Sequence, residues 1–295
     1  MPENINVASF AKINLHLEVG SGRFDGFHEI YSIFQIISLH DTLEISVSNK
    51  TNDINDSIEI NGNFTCSKEN NLIFKAASIF MKNTGLRFNT EINAVKRIPE
   101  GAGLGGGSSN AAAILKSLNQ MTGNPLDREK LLKIASEIGS DVPFFLGNCT
   151  TAVVMGKGDI IKPVYSEIPE YHLVLVYPGF NINTAAAYRW VDEDRQSGSC
   201  ELKKIEPSVL LLNPSKWDFD NTFRLSLEKR FDIYSKIFSV FSEKKSDYFN
   251  ITGSGSAVFG IFTDLSNAEA CSKELKEFCP GVWIANTLAG RLLPD

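Results

Sequence analysis

The sequence predicts a two-domain protein of the α/β (α+β) class: a mixed sheet with helices over residues 1–165, then an α/β sandwich over 166–295. Three observations predict it. The chain has 295 residues, about twice the usual domain of roughly 150. Apolar residues alternate strictly near the amino end, and the second half runs strand, helix, strand, helix.

From Ala11 to Val19 the apolar side chains Ala11, Ile13, Leu15, Leu17 and Val19 share one face and Lys12, Asn14, His16 and Glu18 the other, which predicts a half-buried strand. After the turn-rich SGRFDGFH, the runs SIFQIISL and DTLEISV read as two further strands of a mainly antiparallel sheet. Asn70 to Lys82 reads as a helix with Leu72, Phe74, Ala76, Ala77 and Phe80 inward. A strand from Thr90 to Ile98 ends at Pro99, and a loop with five glycines follows. Ser108, Ser109 or Asn110 is expected to cap the next helix, whose inward residues are Ala111, Ile114, Leu115 and Leu118. Asp127 opens another helix, with Leu131, Leu132, Ala135 and Ile138 inward, and Gly139 stops it before SDVPFFL.

A boundary is expected near Pro163 to Pro169, before the strand HLVLVYPG. A helix from Thr184 to Val191, a polar stretch from Asp192 to Lys216, and helical segments to Lys245 come next. The strand SAVFGIF, a helix from Asn267 to Phe278 and a last strand at Val282 to Asn286 complete the pattern.

Composition narrows the function. Hydrophobic residues at 43% and charged residues at 22% exclude disordered and fibrous classes. A net charge of −6 without any Lys/Arg block argues against a nucleic-acid partner, yet permits a small anion held by backbone amides. Cys66, Cys149, Cys200, Cys271 and Cys279 are scattered, without a CxxC pair, and read as reduced, mostly structural thiols. No basic stretch followed by an apolar run opens the chain, and no apolar run reaches about 18 residues, so no membrane partner and a cytoplasmic location are expected.

PEGAGLGGGSSNAAA is the most informative segment. Glycines let the backbone turn its N–H groups inward, and the helix start behind them adds partial positive charge, so the chemistry suits phosphate. No GxxxxGK[ST] occurs. Gly101, Gly103 and Gly106 satisfy GxGxxG, but two helices follow with no strand between, which disfavours a dinucleotide fold. HRD and DFG triplets are both absent, against a protein kinase.

AKINLHLEV with DGFHEI, GLGGGSSNAAA, GSDVPFFL and ITGSGSAVFGIF together resemble the GHMP kinase superfamily, roughly over Ala8 to Pro178 and Ile251 to Phe262. The resemblance implies the two-domain GHMP kinase fold with its active site in the cleft between the domains, ATP and Mg2+ as cofactors, and an alcohol as acceptor. The combination is most similar to the branch whose small-molecule substrate is cytidine diphosphate-linked methylerythritol, phosphorylated on its 2-hydroxyl in the non-mevalonate isoprenoid pathway.

Residue by residue, the resemblance implies that Asp141 is the catalytic base and that Lys12 contacts the reacting hydroxyl beside Asn14. Read alone, Asp141 is a turn residue and Lys12 a solvated strand lysine. The resemblance further implies that Pro99, Glu100, Gly101, Ala102, Gly103, Leu104, Gly105, Gly106, Gly107, Ser108, Ser109 and Asn110 surround the phosphates, with Ser108 or Ser109 helping to position magnesium, and that Asn71 and Lys96 approach the nucleotide. It implies that Phe27 and His28 receive the cytosine, Phe27 standing where the branch has Tyr, with Phe180 expected as a second aromatic for the base. Gly253, Ser254 and Gly255 form a second glycine turn, which the resemblance places near acceptor and phosphates, with Ser256 departing from the expected Pro or Ala. No set of metal-ligating side chains stands out: His16, His40 and His172 are isolated, and Trp190, Trp217 and Trp283 read as packing residues. A kinase for homoserine or a mevalonate derivative, and a nucleotide-binding regulator without catalysis, remain as alternatives. Oligomeric state is open between monomer and homodimer.

Overall fold

The computed structural model describes residues 4–22, 24, 26, 28–49, 57–165, 168–195 and 202–290. Its strands are β1 (Asn4–Gly22), β2 (His28–Asn49), β3 (Ile58–Asn61), β4 (Phe88–Val95), β5 (Thr151–Gly156), β6 (Ile160–Pro163), β7 (His172–Tyr177), β8 (Tyr248–Ile251), β9 (Val258–Phe262) and β10 (Gly281–Asn286). Its helices are α1 (Leu72–Thr84), α2 (Gly106–Met121), α3 (Arg128–Ile138), α4 (Val142–Leu146), α5 (Thr184–Asp194), α6 (Phe223–Glu228), α7 (Ile233–Glu243) and α8 (Leu265–Leu275). Packing groups them into two compact units that are not consecutive halves of the chain. One holds residues 1–11, 39–100 and 105–148; the other holds 12–38, 101–104 and 149–295.

In the first unit, the second half of β2 pairs antiparallel with β4, from Thr42 opposite Val95 to Asn49 opposite Phe88, and β3 joins β4 in parallel. SIFQIISL and DTLEISV therefore belong to one strand rather than two, because neither glycine nor proline interrupts them. Asn71 caps α1 by accepting from Ile73 N at 2.9 Å, and the buried face is Ile73, Ala76, Ala77 and Phe80. Leu72 and Phe74, expected inward, are half-buried. Asp127 caps α3 as anticipated, accepting from Lys130 N at 2.9 Å, though Ile134 and Ala135 are its buried residues while Leu131, Leu132 and Ile138 are half-buried.

In the second unit, the first half of β2 pairs with β5, from Ile30 opposite Gly156 to Gln35 opposite Thr151, and β5 pairs with β6. The apolar run TAVVMG forms β5, and with β3, β6 and β8 it adds strands to those the sequence pattern predicts. A separate antiparallel sheet has the order β10-β7-β9-β8. Val174, Val176, Val258 and Phe262 from its strands share one core with Ala187, Val191, Phe223, Tyr234, Phe241 and Leu275 from α5 to α8, the strand-and-helix sandwich the pattern predicts. Within the polar stretch expected from Asp192 to Lys216, short 3-10 turns occur at Pro207–Leu211 and Pro214–Lys216. Burial pushes the Cys271 thiol up to about 12 and the Cys279 thiol to about 11, so both are inert packing groups; Cys66 is an exposed thiol, Cys149 is buried, and Cys200 lies outside the described residues.

β1 departs from the half-buried expectation. From Ala11 to Leu17 both faces are buried, with Lys12 at 4%, Asn14 at 2% and His16 at 0% exposure. Its polar face is covered because every polar group there has a partner. His16 Nδ1 accepts from Asp220 N at 3.0 Å, so Nε2 carries the proton and donates to Lys203 O at 3.1 Å. The backbone beside it is strapped too: Leu17 N donates to Asp220 O at 2.8 Å and Thr222 N to Leu17 O at 2.9 Å.

Burial holds the His16 imidazole below its ordinary value of 6.5, and the nearby Lys203 ammonium acts in the same direction while Asp220 opposes it. Below 6.5 the unfolded chain takes up a proton that the folded chain resists, so this contribution to stability is present above 6.5 and lost as pH falls. The urea midpoint is therefore expected to fall between about pH 7.5 and 5.5, and to fall less in His16→Asn. Identical pH slopes in the two proteins would contradict it.

Candidate active site

The glycine loop changes unit between Leu104 and Gly105. Its first part is held by backbone on both sides: Lys12 N of β1 donates to Leu104 O at 3.0 Å, and Ala257 N donates to Ala102 O at 3.1 Å. Gly103 has φ +83°, and a β-carbon there would lie 2.4 Å from the Thr252 carbonyl oxygen. Both the dihedral and the close approach admit only glycine.

The helix after the loop starts earlier than the sequence implies. Gly105, at φ 69°, is the residue before the first helical turn, so α2 opens with Gly106 and Gly107 and no side chain caps it. Ser108, Ser109 and Asn110 stand inside the helix instead of capping it, because the glycines themselves can adopt the turn that leads in. The amide hydrogens of the first turn lack intrahelical acceptors and carry the positive end of the helix dipole, an arrangement suited to phosphate oxygens. Ser108 is half-buried, whereas Ser109 is buried and its hydroxyl accepts from Ser9 Oγ at 2.7 Å.

Lys12 and Asn14 point to the buried polar side of β1. The Lys12 ammonium donates to Asn14 Oδ1 at 2.7 Å and lies 4.5 Å from the centroid of the Phe34 ring. Asn14 Oδ1 also accepts from Gly253 N at 2.9 Å, and Asn14 Nδ2 donates to Ser32 Oγ at 2.9 Å. The backbone N–H of Asn14 donates to Thr252 Oγ1 at 3.1 Å, and that hydroxyl donates to Gly103 O at 3.2 Å. Asn14 thus joins the lysine, the second glycine turn and, through Thr252, the first glycine loop. Asn221, which the sequence did not single out, holds the same turn by donating from Nδ2 to Ile251 O at 2.7 Å and Gly253 O at 3.0 Å. Ser254 Oγ donates to Thr184 Oγ1 at 3.2 Å, next to Gly255.

Asn71, Lys96, Pro99, Glu100 and Asp141 lie in the first unit. Asp141 precedes α4 with φ −85° and ψ −15°; its carboxylate does not cap that helix, and Ser140 Oγ stands 3.4 Å from its Oδ1. Lys96 is paired with Asp41, and its ammonium donates to Asn110 Oδ1 at 2.8 Å. The Glu100 carboxylate, after Pro99, accepts from Thr65 N at 3.1 Å and from the Thr65 hydroxyl. Asn71 uses its side chain as the cap of α1.

For the base, Phe27 lies outside the described residues. His28 Nε2 is 3.1 Å from both carboxylate oxygens of Asp192, and its ring is 4.8 Å from that of Tyr188, tilted by 33°. Tyr188 and Asp192 are one turn apart on α5, a spacing that could have been read from the sequence as a single face. Phe180 instead stacks on Phe231 at 5.0 Å and meets Tyr234 edge-on at 6.3 Å, half-buried against the core of the second unit. Among the described residues no group of three or more His, Cys, Asp or Glu gathers as a metal cage, and no helix is long and apolar enough to cross a membrane.

Comparison with known proteins shows the family. Residues 71–148 match the GHMP kinases N terminal domain and residues 212–281 the GHMP kinases C terminal domain. The chain is 37% identical over 282 residues to 4-diphosphocytidyl-2-C-methyl-D-erythritol kinase of Thermodesulfovibrio yellowstonii, covering 93% of this chain and 94% of that one. It is 35% identical to the enzyme of that name from Thermotoga maritima, covering 89% and 95%. A crystal structure of 4-(cytidine 5'-diphospho)-2C-methyl-D-erythritol kinase superposes with a TM-score of 0.81 at 28% identity, covering 97% of this chain and 100% of that one. Homoserine kinase of Cytophaga hutchinsonii, at 16% identity and a TM-score of 0.70, shares the fold. The chain belongs to the GHMP kinases, within the family of 4-diphosphocytidyl-2-C-methyl-D-erythritol kinases.

Proposed function

We propose that this protein transfers the γ-phosphoryl group of ATP to the 2-hydroxyl of 4-diphosphocytidyl-2-C-methyl-D-erythritol, giving the 2-phosphate and ADP in the methylerythritol phosphate route to isoprenoids. The observation that carries the reading is the uncapped start of α2 behind a loop bonded to β1, the strand that bears a buried lysine. Phosphoryl transfer asks for alignment and charge stabilisation, and preorganised amides supply both.

In this reading the acceptor oxygen bonds to the γ-phosphorus as the bond to the β–γ bridging oxygen breaks, and the hydroxyl proton passes to Asp141. The Lys12 ammonium, 4% exposed and oriented by Asn14, stabilises negative charge as it develops; burial strengthens that interaction relative to water. Magnesium, when bound, neutralises phosphate charge. It takes most of its ligands from phosphate and water and needs few from protein. The Ser108 hydroxyl fits that demand, whereas that of Ser109 is committed to Ser9. His28, fixed by Asp192 and by the Tyr188 ring, reads the cytosine, with Tyr188, whose ring lies beside His28, favoured over Phe180, which stacks on Phe231. The thiols of Cys66, Cys271 and Cys279 suit a reducing cytoplasm.

ADP release with the cytidine-linked acceptor, run beside mevalonate and homoserine, tests the assignment. Turnover is expected with the first alone, and preference for either of the others would contradict it. Asp141→Asn is expected to bind ATP as the wild type does and to lose turnover by about 100-fold or more; near-normal turnover would remove Asp141 from its role. Gly103→Ala, forced against the Thr252 carbonyl at a left-handed dihedral, is expected to cost more than about 1 kcal/mol of stability, read as a lower Tm, and to weaken ATP binding. In Gly107→Ala the new methyl meets the Leu72 side chain, with Cδ1 at 3.4 Å, and the Tm should hold. Equal melting of the two variants would contradict the close approach.

A further inference from the structure

We propose that Asp41 is a positioning residue for the nucleotide, a carboxylate that sets how tightly ATP is held without touching it. The proposal rests on the kinase reading above, in which the start of α2 receives the phosphates. Asp41 lies in β2, is 0% exposed, and stands one residue beyond Thr42, where antiparallel pairing with β4 ends at Val95. There the side chain takes over from the strand. Its Oδ1 accepts from Arg97 N at 2.7 Å and from Ile98 N at 2.9 Å. Its Oδ2 accepts from Asn110 Nδ2 at 3.0 Å and is paired with the Lys96 ammonium, which also donates to Asn110 Oδ1. Asn110 Nδ2 further reaches Ser9 Oγ at 2.9 Å, and Ser9 donates to Ser109.

One buried carboxylate therefore fixes two segments: residues 96–98, which lead into the glycine loop, and the opening turns of α2. The link is also steric, since a β-carbon on Gly106 would lie 2.9 Å from Ile98 Cγ2. Where Ile98 is held, the first helical amide is held. Lys96 and Asp41 have side-chain exposures of 9% and 0%. A charge pair so buried is tolerable only with near-complete hydrogen bonding, which makes the arrangement specific. With both oxygens engaged by these four donors, Asp41 is not offered to the reacting atoms. Its removal should loosen the grip on ATP and leave the chemical step intact.

The test is Asp41→Asn in the full chain, which keeps the shape and one acceptor oxygen but turns an amide NH2 toward the donors on Lys96 and Asn110. The Kd of ATP by calorimetry and its KM are expected to rise by about tenfold or more, because buried donors are left unsatisfied. At saturating ATP, kcat should stay within about threefold and the acceptor KM should not move. Ser9→Ala, which cuts only the hydroxyl between Asn110 and Ser109, is the gentler second variant, with ATP Kd up by about two- to fivefold and an unchanged circular dichroism spectrum. An unchanged ATP Kd in folded Asp41→Asn overturns the proposal. So does an unchanged Kd in Ser9→Ala if the first variant does not fold, or a kcat loss that matches the loss in ATP affinity. Failure of the wild type itself to bind ATP would sink the kinase reading instead, a separate outcome.

Discussion

The contact between the Gly103 backbone and the Thr252 carbonyl is the constraint on which the rest depends. Two glycine turns far apart in sequence are brought together there with no room for a side chain. The approach explains why the first part of the loop accepts bonds from Lys12 N and Ala257 N and is held at both edges. A loop held in this way can keep amide groups oriented without a ligand, which is what a preorganised phosphate site requires.

Burying polar groups on β1 is the cost of that arrangement. Lys12, Asn14 and His16 all lie on one buried face, each of them hydrogen-bonded. Asn14 makes the set coherent. Its carbonyl oxygen has two lone pairs and two strong donors, the Lys12 ammonium and Gly253 N. A lysine so placed is desolvated and rigid, properties that would be wasted on a solvated strand and that favour a role in stabilising developing charge. The same logic governs Asp41 in the other unit, where a carboxylate completes a sheet edge that the backbone leaves open.

Much of this was legible in the sequence. Alternation in AKINLHLEV marks the strand, five clustered glycines mark the loop, and Asp127 announces the helix it caps. What escaped depends on groups that meet only in three dimensions. Alternation reports two faces but not whether a second layer covers the polar one, so Lys12 looked solvated. Serines after glycines look like caps, yet a glycine at φ 69° turns the chain into α2 before they are reached. Asp41 sits in LHDTLEI with nothing nearby to show that its partners come from 55 or more positions later. Phe180 stands out in the sequence by its position after YPG, whereas only the fold brings the Tyr188 ring, one turn before Asp192, beside His28.

The central claim is that main-chain amides at the start of α2 grip the triphosphate. Hydrogen exchange of the backbone, followed by mass spectrometry with and without a non-hydrolysable ATP analogue, addresses it directly. The account predicts that the largest gain in protection falls on residues 101–110. Strong protection elsewhere, with that segment unchanged, would contradict it.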